Sequence, residues 1–248
     1  MNKLTLQHKW EAPILKRILS GIILIPVVVA LILYAPLLWL AVLITVISLV
    51  ALREYTAITS KVTDGSGKLS KWGLYLTGFM PLVIFLISGP DLLELEGIAA
   101  WSVISFLLLI APLLVLSFLL LSVLVIFEKG ETEQRFNRLV YATSGMLYIP
   151  LLLTHLIFIV TMNQGRWWLL LLLIIVWSND TFAYFTGRAI GRKKMCPGIS
   201  PGKTIEGAIG GIVGGIIAAL VFVYFTPLSL VVLPIIVLAL LVGVFSII

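Results

Sequence analysis

The sequence predicts an all-α, polytopic integral membrane protein, a bundle of about eight transmembrane helices. Three observations lead to this fold class. Of the 248 residues, 61% are hydrophobic and only 11% are charged, with a mean hydropathy of +1.19, whereas about a quarter of an average soluble domain is charged. The charged residues separate apolar stretches that are long enough for one or two spans of about 20 residues. These stretches lack the alternation over about ten residues that a membrane β-barrel requires.

The predicted helices follow in order from the gaps between charges. The uncharged stretch between Arg17 and Arg53 is too long for one span, so it predicts two helices, 18–34 and 36–52, with a turn at Pro36. The remaining predicted helices are 72–89, 104–127 with a kink expected at Pro112, 139–161, 167–186, 207–226 and 228–248, the last two being separated by Pro227. We therefore expect a single membrane domain over residues 1–248, with a cytoplasmic basic loop at 187–206 that carries part of a site.

The loop charges predict the orientation of this domain. If the N-terminus is cytoplasmic, every basic residue except Arg166 lies on the cytoplasmic side, and the outer loop Gly89–Gly97 is purely acidic. Such a bias is the positive-inside rule. The net charge of +6 is then explained by basic residues beside anionic lipid, and we expect no nucleic-acid partner.

The sixth predicted helix carries a polar cluster at residues 178–181. Asp180 in this cluster lies about six residues from the inner end of the helix, roughly 9 Å deep. An ionisable group at that depth is costly unless it faces water, a metal or a partner. Asp180, Tyr184, Gly187 and Arg188 share one helix face. We interpret Asp180 as a functional residue, and the alternatives are a structural ion pair to Arg188 or a polar contact between helices.

The loop after this helix is basic and ends in Ser-Pro-Gly-Lys-Thr at 200–204. Ser200 is a good N-cap and the following proline a good first residue, so the sequence predicts a helix beginning there, with Lys203 in its first turn. Free N–H groups at such a helix start suit an anion, and Glu206 could balance Lys203 or bind a metal or substrate. The basic residues 192–194 are interpreted as membrane anchors no less than as site residues.

The start of the seventh predicted helix is rich in glycine. The glycines recur every four residues in two series, at Gly207, Gly211 and Gly215 and at Gly210 and Gly214. This spacing predicts a close-packing helix face with a structural role.

The segments "SNDTFAYFTGRAIGRKK" and "ISPGKTIEG" together resemble the CDP-diacylglycerol synthase (phosphatidate cytidylyltransferase) family. Members carry D-x-x-A-Y-x-x-G-R followed by S-P-x-K-T-x-E-G, and the specific match covers about residues 178–215. The resemblance implies an enzyme of the bacterial cytoplasmic membrane that joins CTP and phosphatidate to give CDP-diacylglycerol and pyrophosphate, with Mg²⁺ as cofactor. It also implies membrane lipids as partners, and a homodimer is one of the assemblies it allows.

The same resemblance implies roles for particular residues. Asp180 and Lys203 would be catalytic, Asp180 would also bind the metal, and the substrate-binding residues would be Arg188, Ser200, Thr204 and Glu206. Gly202 stands where the family usually has a cation. The family's C-terminal signature, rich in Lys, Asp, Gly and His, has no counterpart in these residues. We therefore expect an incomplete chain that is inactive by itself.

Two other functions fit part of this pattern. A CTP-dependent lipid kinase of the polyprenol or phytol type has the same composition, and only the motif match favours the synthase. A membrane transporter could also contain an intramembrane aspartate and glycine-rich helices. Transporters commonly show two similar halves, and the sequence holds no second copy of the Asp180 or Ser200 segment.

Overall fold

The structure is a computed structural model that describes residues 21, 23–61, 68–93, 99–198, 200–228 and 232–247. Its contacts divide the chain into two compact units. Unit 1 consists of Met1–Leu33 together with Gln164–Ile248, and unit 2 is Tyr34–Asn163. The described part is helical apart from one two-stranded sheet and short connections, so the predicted all-α membrane bundle is confirmed.

The described residues of unit 2 form six α-helices and one π-helical turn. They are α2 (Leu37–Thr59), α3 (Lys68–Thr77), α4 (Met80–Leu93), α5 (Ala99–Ile126), α6 (Thr132–Met146), the π-helical turn Leu147–Leu151 and α7 (Leu152–Thr161). One of its buried clusters is formed by Leu52, Leu74, Leu121, Ala142 and Met146. These side chains come from four different helices, so the apolar core holds the unit together.

The third predicted span, 72–89, is not one straight helix. Its two parts, Ser70–Thr77 and Met80–Ile87, are bent by 42°. Gly78 lies at the break, and a Cβ atom placed there would be 2.7 Å from Leu49 Cδ2 of α2. Pro81 follows in the first turn of α4, where its missing N–H costs no helical hydrogen bond. The prediction of a continuous helix was wrong because a glycine and a proline lie close together inside it.

A buried ion pair joins three elements of unit 2. Arg138 of α6 contacts Glu128, just after α5, with an Nη1–Oε2 distance of 3.3 Å. The other carboxylate oxygen accepts the backbone N–H of Ser70 at 2.6 Å. Ser70 is in the first turn of α3, where backbone N–H groups have no partner within the helix. One carboxylate therefore caps α3 and anchors α6.

The other four helices of the described residues and the sheet belong to unit 1. They are α1 (Ile23–Tyr34, of which Tyr34 falls in unit 2), α8 (Gly165–Ile190), β1 (Lys194–Cys196), β2 (Ser200–Thr204), α9 (Ile205–Tyr224) and α10 (Val232–Ile247). Buried residues of α8, α9, α10 and the connection between α9 and α10 form a core cluster: Leu171, Ile175, Ala219, Val223, Leu228, Ile235 and Ala239. The guanidinium of Arg166 donates hydrogen bonds to the carbonyls of Ile32 and Leu33. It thereby satisfies carbonyls at the C-terminal end of α1, where a cation is also favoured by the helix dipole.

All eight predicted spans coincide with helix in the described residues, but the number of spans is smaller by the criteria of length and apolarity. Five helices meet these criteria, or six if the bent pair counts as one span. The first and eighth predicted spans correspond to shorter apolar helices, Ile23–Tyr34 and Val232–Ser246. The count of eight thus stays a prediction.

Candidate functional site

The C-terminal end of α8 forms one wall of a cavity. Asp180, Tyr184, Gly187 and Arg188, which the helical period places on one face, all line this cavity, whose volume is about 560 Å³. The cavity lies wholly within unit 1. Its other walls are the hairpin formed by β1 and β2, the start of α9 and Ser246 of α10. It belongs to the size range of small-molecule sites.

The segment 200–204 folds differently from the sequence prediction. It is the strand β2, which pairs antiparallel with β1, and not the first turn of a helix. The helix α9 starts later, at Ile205, and its N-cap is Thr204, whose hydroxyl accepts the N–H of Gly207 at 3.1 Å. The prediction of Ser200 as the N-cap was therefore wrong, because the hydroxyl of Thr204, four residues later, accepts one of the free N–H groups at the start of the helix. Lys203 lies in the strand, and the helix start nevertheless remains beside the cavity.

Close packing of α8 against α9 brings the two helix ends to the cavity. A Cβ atom at Gly207 would lie 2.8 Å from the Ala183 carbonyl oxygen, and one at Gly211 would lie 2.7 Å from Asn179 Oδ1. The predicted close-packing face is thus present at Gly207 and Gly211. Gly215 has more room, since its nearest neighbour would be 3.5 Å away.

Asn179 connects α8 to α10 at the base of the cavity. Its side chain is 1% exposed, and its Nδ2 donates to Ser246 Oγ at 2.5 Å and to the Gly243 carbonyl at 3.5 Å. Its Oδ1 is buried without a hydrogen-bond partner among the described residues. The amide therefore fixes the end of α10 next to Asp180, the following residue on α8.

The cavity is cationic. Among the described residues, its one acid is Asp180, and its basic side chains are Arg188, Lys194 and Lys203. Arg188 Nη1 donates to the Tyr184 hydroxyl at 3.2 Å. Within the described ranges the one ion pair is that of unit 2, so the alternative of a structural Asp180–Arg188 pair is not supported. The exposed Asp180 carboxylate makes no hydrogen bond to a described residue, and its oxygens remain available to a ligand.

Glu206 lies away from this cavity. Its carboxylate accepts the backbone N–H of Arg192 at 3.0 Å and that of Lys193 at 3.2 and 3.3 Å. The structure therefore brings together five of the six predicted site residues, Asp180, Arg188, Ser200, Lys203 and Thr204, and places the sixth behind the hairpin.

Among the described residues, Asp180 is the one carboxylate in this cavity that could bind a magnesium ion. Within the part of the chain that the structure describes, no three or more His, Cys, Asp or Glu residues cluster as a metal site. Mg²⁺, however, is commonly bound by one or two carboxylates together with substrate phosphates. Asp180, beside three cations that suit phosphate, fits such a site.

Sequence reasoning did not single out three polar residues of the cavity, namely Lys194, Asn179 and Ser246. Lys194 was interpreted together with residues 192 and 193, and only the fold distinguishes it from Lys193, which does not line the cavity. The pairing of Asn179 with Ser246 could not be foreseen, because no local pattern relates positions so far apart in the chain.

The fold and the cavity define a class of polytopic α-helical membrane proteins with a cationic, phosphate-compatible cavity at the end of a close-packed helix pair. The model of the Cytidylyltransferase family matches residues 15–248, so the chain belongs to this family.

Individual relatives match over shorter stretches. The chain is 41% identical over 68 residues to a phosphatidate cytidylyltransferase of Haemophilus influenzae, covering 27% of this chain and 24% of that protein. It is 31% identical over 134 residues to the enzyme of that name from Bacillus subtilis, covering 53% and 45%. A phosphatidate cytidylyltransferase of Staphylococcus haemolyticus is 30% identical over 118 residues, covering 48% and 44%. The chain thus spans less than half the length of these curated relatives.

Proposed function

We propose that this protein is a membrane nucleotidyltransferase that condenses CTP with phosphatidate to give CDP-diacylglycerol and pyrophosphate. The single observation that carries the proposal is the cavity at the end of α8, which combines three cations with one carboxylate that makes no hydrogen bond or ion pair to a described residue. Family membership and the names of the matched relatives support the same reaction.

The proposed reaction transfers a cytidylyl group. A phosphate oxygen of phosphatidate attacks the α-phosphorus of CTP, and the bond from that phosphorus to the bridging oxygen breaks as pyrophosphate leaves. Such a transfer needs positioning and neutralisation of phosphate charge more than covalent chemistry by the protein. Lys203 and Arg188 would hold phosphate oxygens, and Ser200 would donate a hydrogen bond to them. The buried Thr204 would act by fixing the start of α9.

Magnesium is proposed as the cofactor, with Asp180 as its protein ligand. A bound Mg²⁺ ion would withdraw charge from the phosphates and the departing pyrophosphate. Asp180→Asn removes the charge that a hard cation prefers, so it should weaken both turnover and magnesium dependence.

Position-specific labelling of CTP tests the reaction. Membranes containing the natural full-length gene product are incubated with phosphatidate, Mg²⁺ and CTP that carries ³²P at either the α or the γ position. A cytidylyltransferase labels lipid only from α-labelled CTP, whereas a lipid kinase labels it only from γ-labelled CTP. No labelled lipid from either nucleotide contradicts the proposal, as does lipid labelling at the wild-type rate by both Asp180→Asn and Lys203→Ala.

We further propose that the N-terminus lies in the cytoplasm of a bacterial cell, with the cavity on the same side. Support comes from the distribution of basic residues along the sequence. The test replaces the free, exposed Cys196 by serine and introduces single cysteines at Asp64 and Glu94, which lie outside the described residues. An impermeant thiol reagent should label position 94 in intact cells and position 64 only after lysis. A homodimer remains a prediction.

A further inference from the structure

The hairpin formed by β1 and β2, between α8 and α9, lines the cavity with residues of both strands. Lys194 pairs with Thr204 across the two strands. Cross-strand partners lie on the same face of a sheet, so Lys194 and Thr204 are neighbours on the hairpin. The residues of β2 that line the cavity are Ser200, Gly202, Lys203 and Thr204, and those of β1 are Met195 and Lys194. The side chain of the preceding residue, Lys193, does not line it.

The backbone in front of Lys194 is fixed from the opposite side. The Glu206 carboxylate binds the N–H groups of Arg192 and Lys193, and the Lys193 carbonyl accepts the N–H of Ile205 at 2.9 Å. These bonds attach the entry of β1 to the first turn of α9. As a result, the nearest acid in sequence is directed to the backbone, and Lys194 enters the cavity from an anchored strand.

The side chain of Lys194 has no hydrogen bond or ion pair with any residue in the described ranges. It shares the cavity with Lys203, Arg188 and a single carboxylate, Asp180. Several cations around one cavity repel each other unless an anion lies between them. This excess of positive charge therefore matches a ligand with several negative charges.

We propose that Lys194 binds a phosphate group in this cavity, as a substrate-binding residue in addition to Lys203. The inference rests on the proposed function for the identity of the ligand, which is either the triphosphate of CTP or the phosphate of phosphatidate. The alternative is that Lys194 only anchors the loop to lipid headgroups. It predicts that replacing Lys194 and replacing Lys193 have the same effect on substrate binding.

Steady-state kinetics of the full-length protein compare Lys194→Ala with Lys193→Ala, which removes the same charge one position away. Lys194→Ala should raise KM for CTP or for phosphatidate by about tenfold or more, as expected for a lost charge-assisted hydrogen bond to phosphate. Which of the two KM values rises identifies the phosphate. Lys194→Arg should restore most of the affinity, and Lys193→Ala should stay within about twofold of wild type. Equal kinetics of the two alanine variants with both substrates would overturn the proposal.

A protection experiment does not depend on turnover. The wild-type protein in detergent is modified briefly with an amine-reactive reagent, and mass spectrometry measures modification of Lys194 and Lys193. CTP, inorganic tripolyphosphate and a short-chain phosphatidate are added separately, with phosphatidylcholine as the control lipid. Protection of Lys194 alone, by at least one of the three phosphate compounds, supports the inference, whereas equal modification under all conditions refutes it. If no labelled lipid forms from CTP but Lys194 is protected, the proposed reaction fails while the phosphate site stands.

Discussion

Replacing Gly211 by alanine tests the packing that builds the cavity. The added Cβ atom would lie 2.7 Å from Asn179 Oδ1, 2.8 Å from the Asn179 carbonyl oxygen and 3.0 Å from Ala183 Cβ. Non-bonded carbon atoms pack best at about 3.5–4.0 Å. A side chain could rotate away, but the carbonyl oxygen belongs to the backbone of α8. The two helices must therefore separate.

The expected cost follows from this separation. Overpacking a close-packed interior by a methyl group costs about 1–3 kcal/mol. Gly215→Ala, one turn further along α9, is the matched control because its Cβ atom would have no neighbour closer than 3.5 Å. Both variants gain about 0.8–1.0 kcal/mol of helix propensity, so this gain cancels in the comparison. Gly211→Ala should be less stable than Gly215→Ala by about 1–3 kcal/mol.

Thermal denaturation in detergent measures the difference. Each protein is heated, and the fraction that remains monodisperse is read by size-exclusion chromatography. Gly211→Ala should lose its folded fraction several degrees below Gly215→Ala, and the bulkier Gly211→Leu should yield little folded protein. Equal midpoints for the two alanine variants would show that α8 and α9 are not in close contact at Gly211. A Gly211→Leu protein that is fully stable but inactive would instead assign this glycine to the site.

Three further changes test individual interactions. Glu128→Ala leaves the arginine partner charged and buried, so it should destabilise the protein by about 3–5 kcal/mol, whereas Glu133→Ala, at an exposed position of α6, should leave the denaturation midpoint unchanged. Arg166→Leu removes the hydrogen bonds to the end of α1, and amide hydrogen exchange in that helix should become faster while exchange in α10 does not change. Glu206→Gln replaces one of the two accepting oxygens by a donor, so hydrogen exchange of the Arg192 and Lys193 backbone N–H groups should become faster while the start of α9 stays protected. Unchanged exchange of these two N–H groups would show that the Glu206 carboxylate does not hold them.

The sequence was most informative where a local pattern decides the structure. The helix at Asp180 could be predicted because an uninterrupted apolar stretch in a bilayer must satisfy its backbone hydrogen bonds internally. The helical period then placed Asp180, Tyr184 and Arg188 on one face, and all three line the cavity. Local patterns were less informative for Ser200, because Thr204 offered a second N-cap to the same helix.

The sequence by itself determined that this is a helical membrane protein with a polar, basic segment between α8 and α9, because hydropathy and helical period are local properties. Only the tertiary structure decided which charges enter the cavity. The fold of the hairpin places Lys194 at the cavity, whereas hydrogen bonds to the hairpin backbone hold Glu206 outside it. Likewise, the contact of Asn179 with Ser246 joins residues from α8 and α10. These outcomes depend on pairing between segments that are distant in the chain, and the physical reason is that a hydrogen bond or a close contact is set by the geometry of both partners.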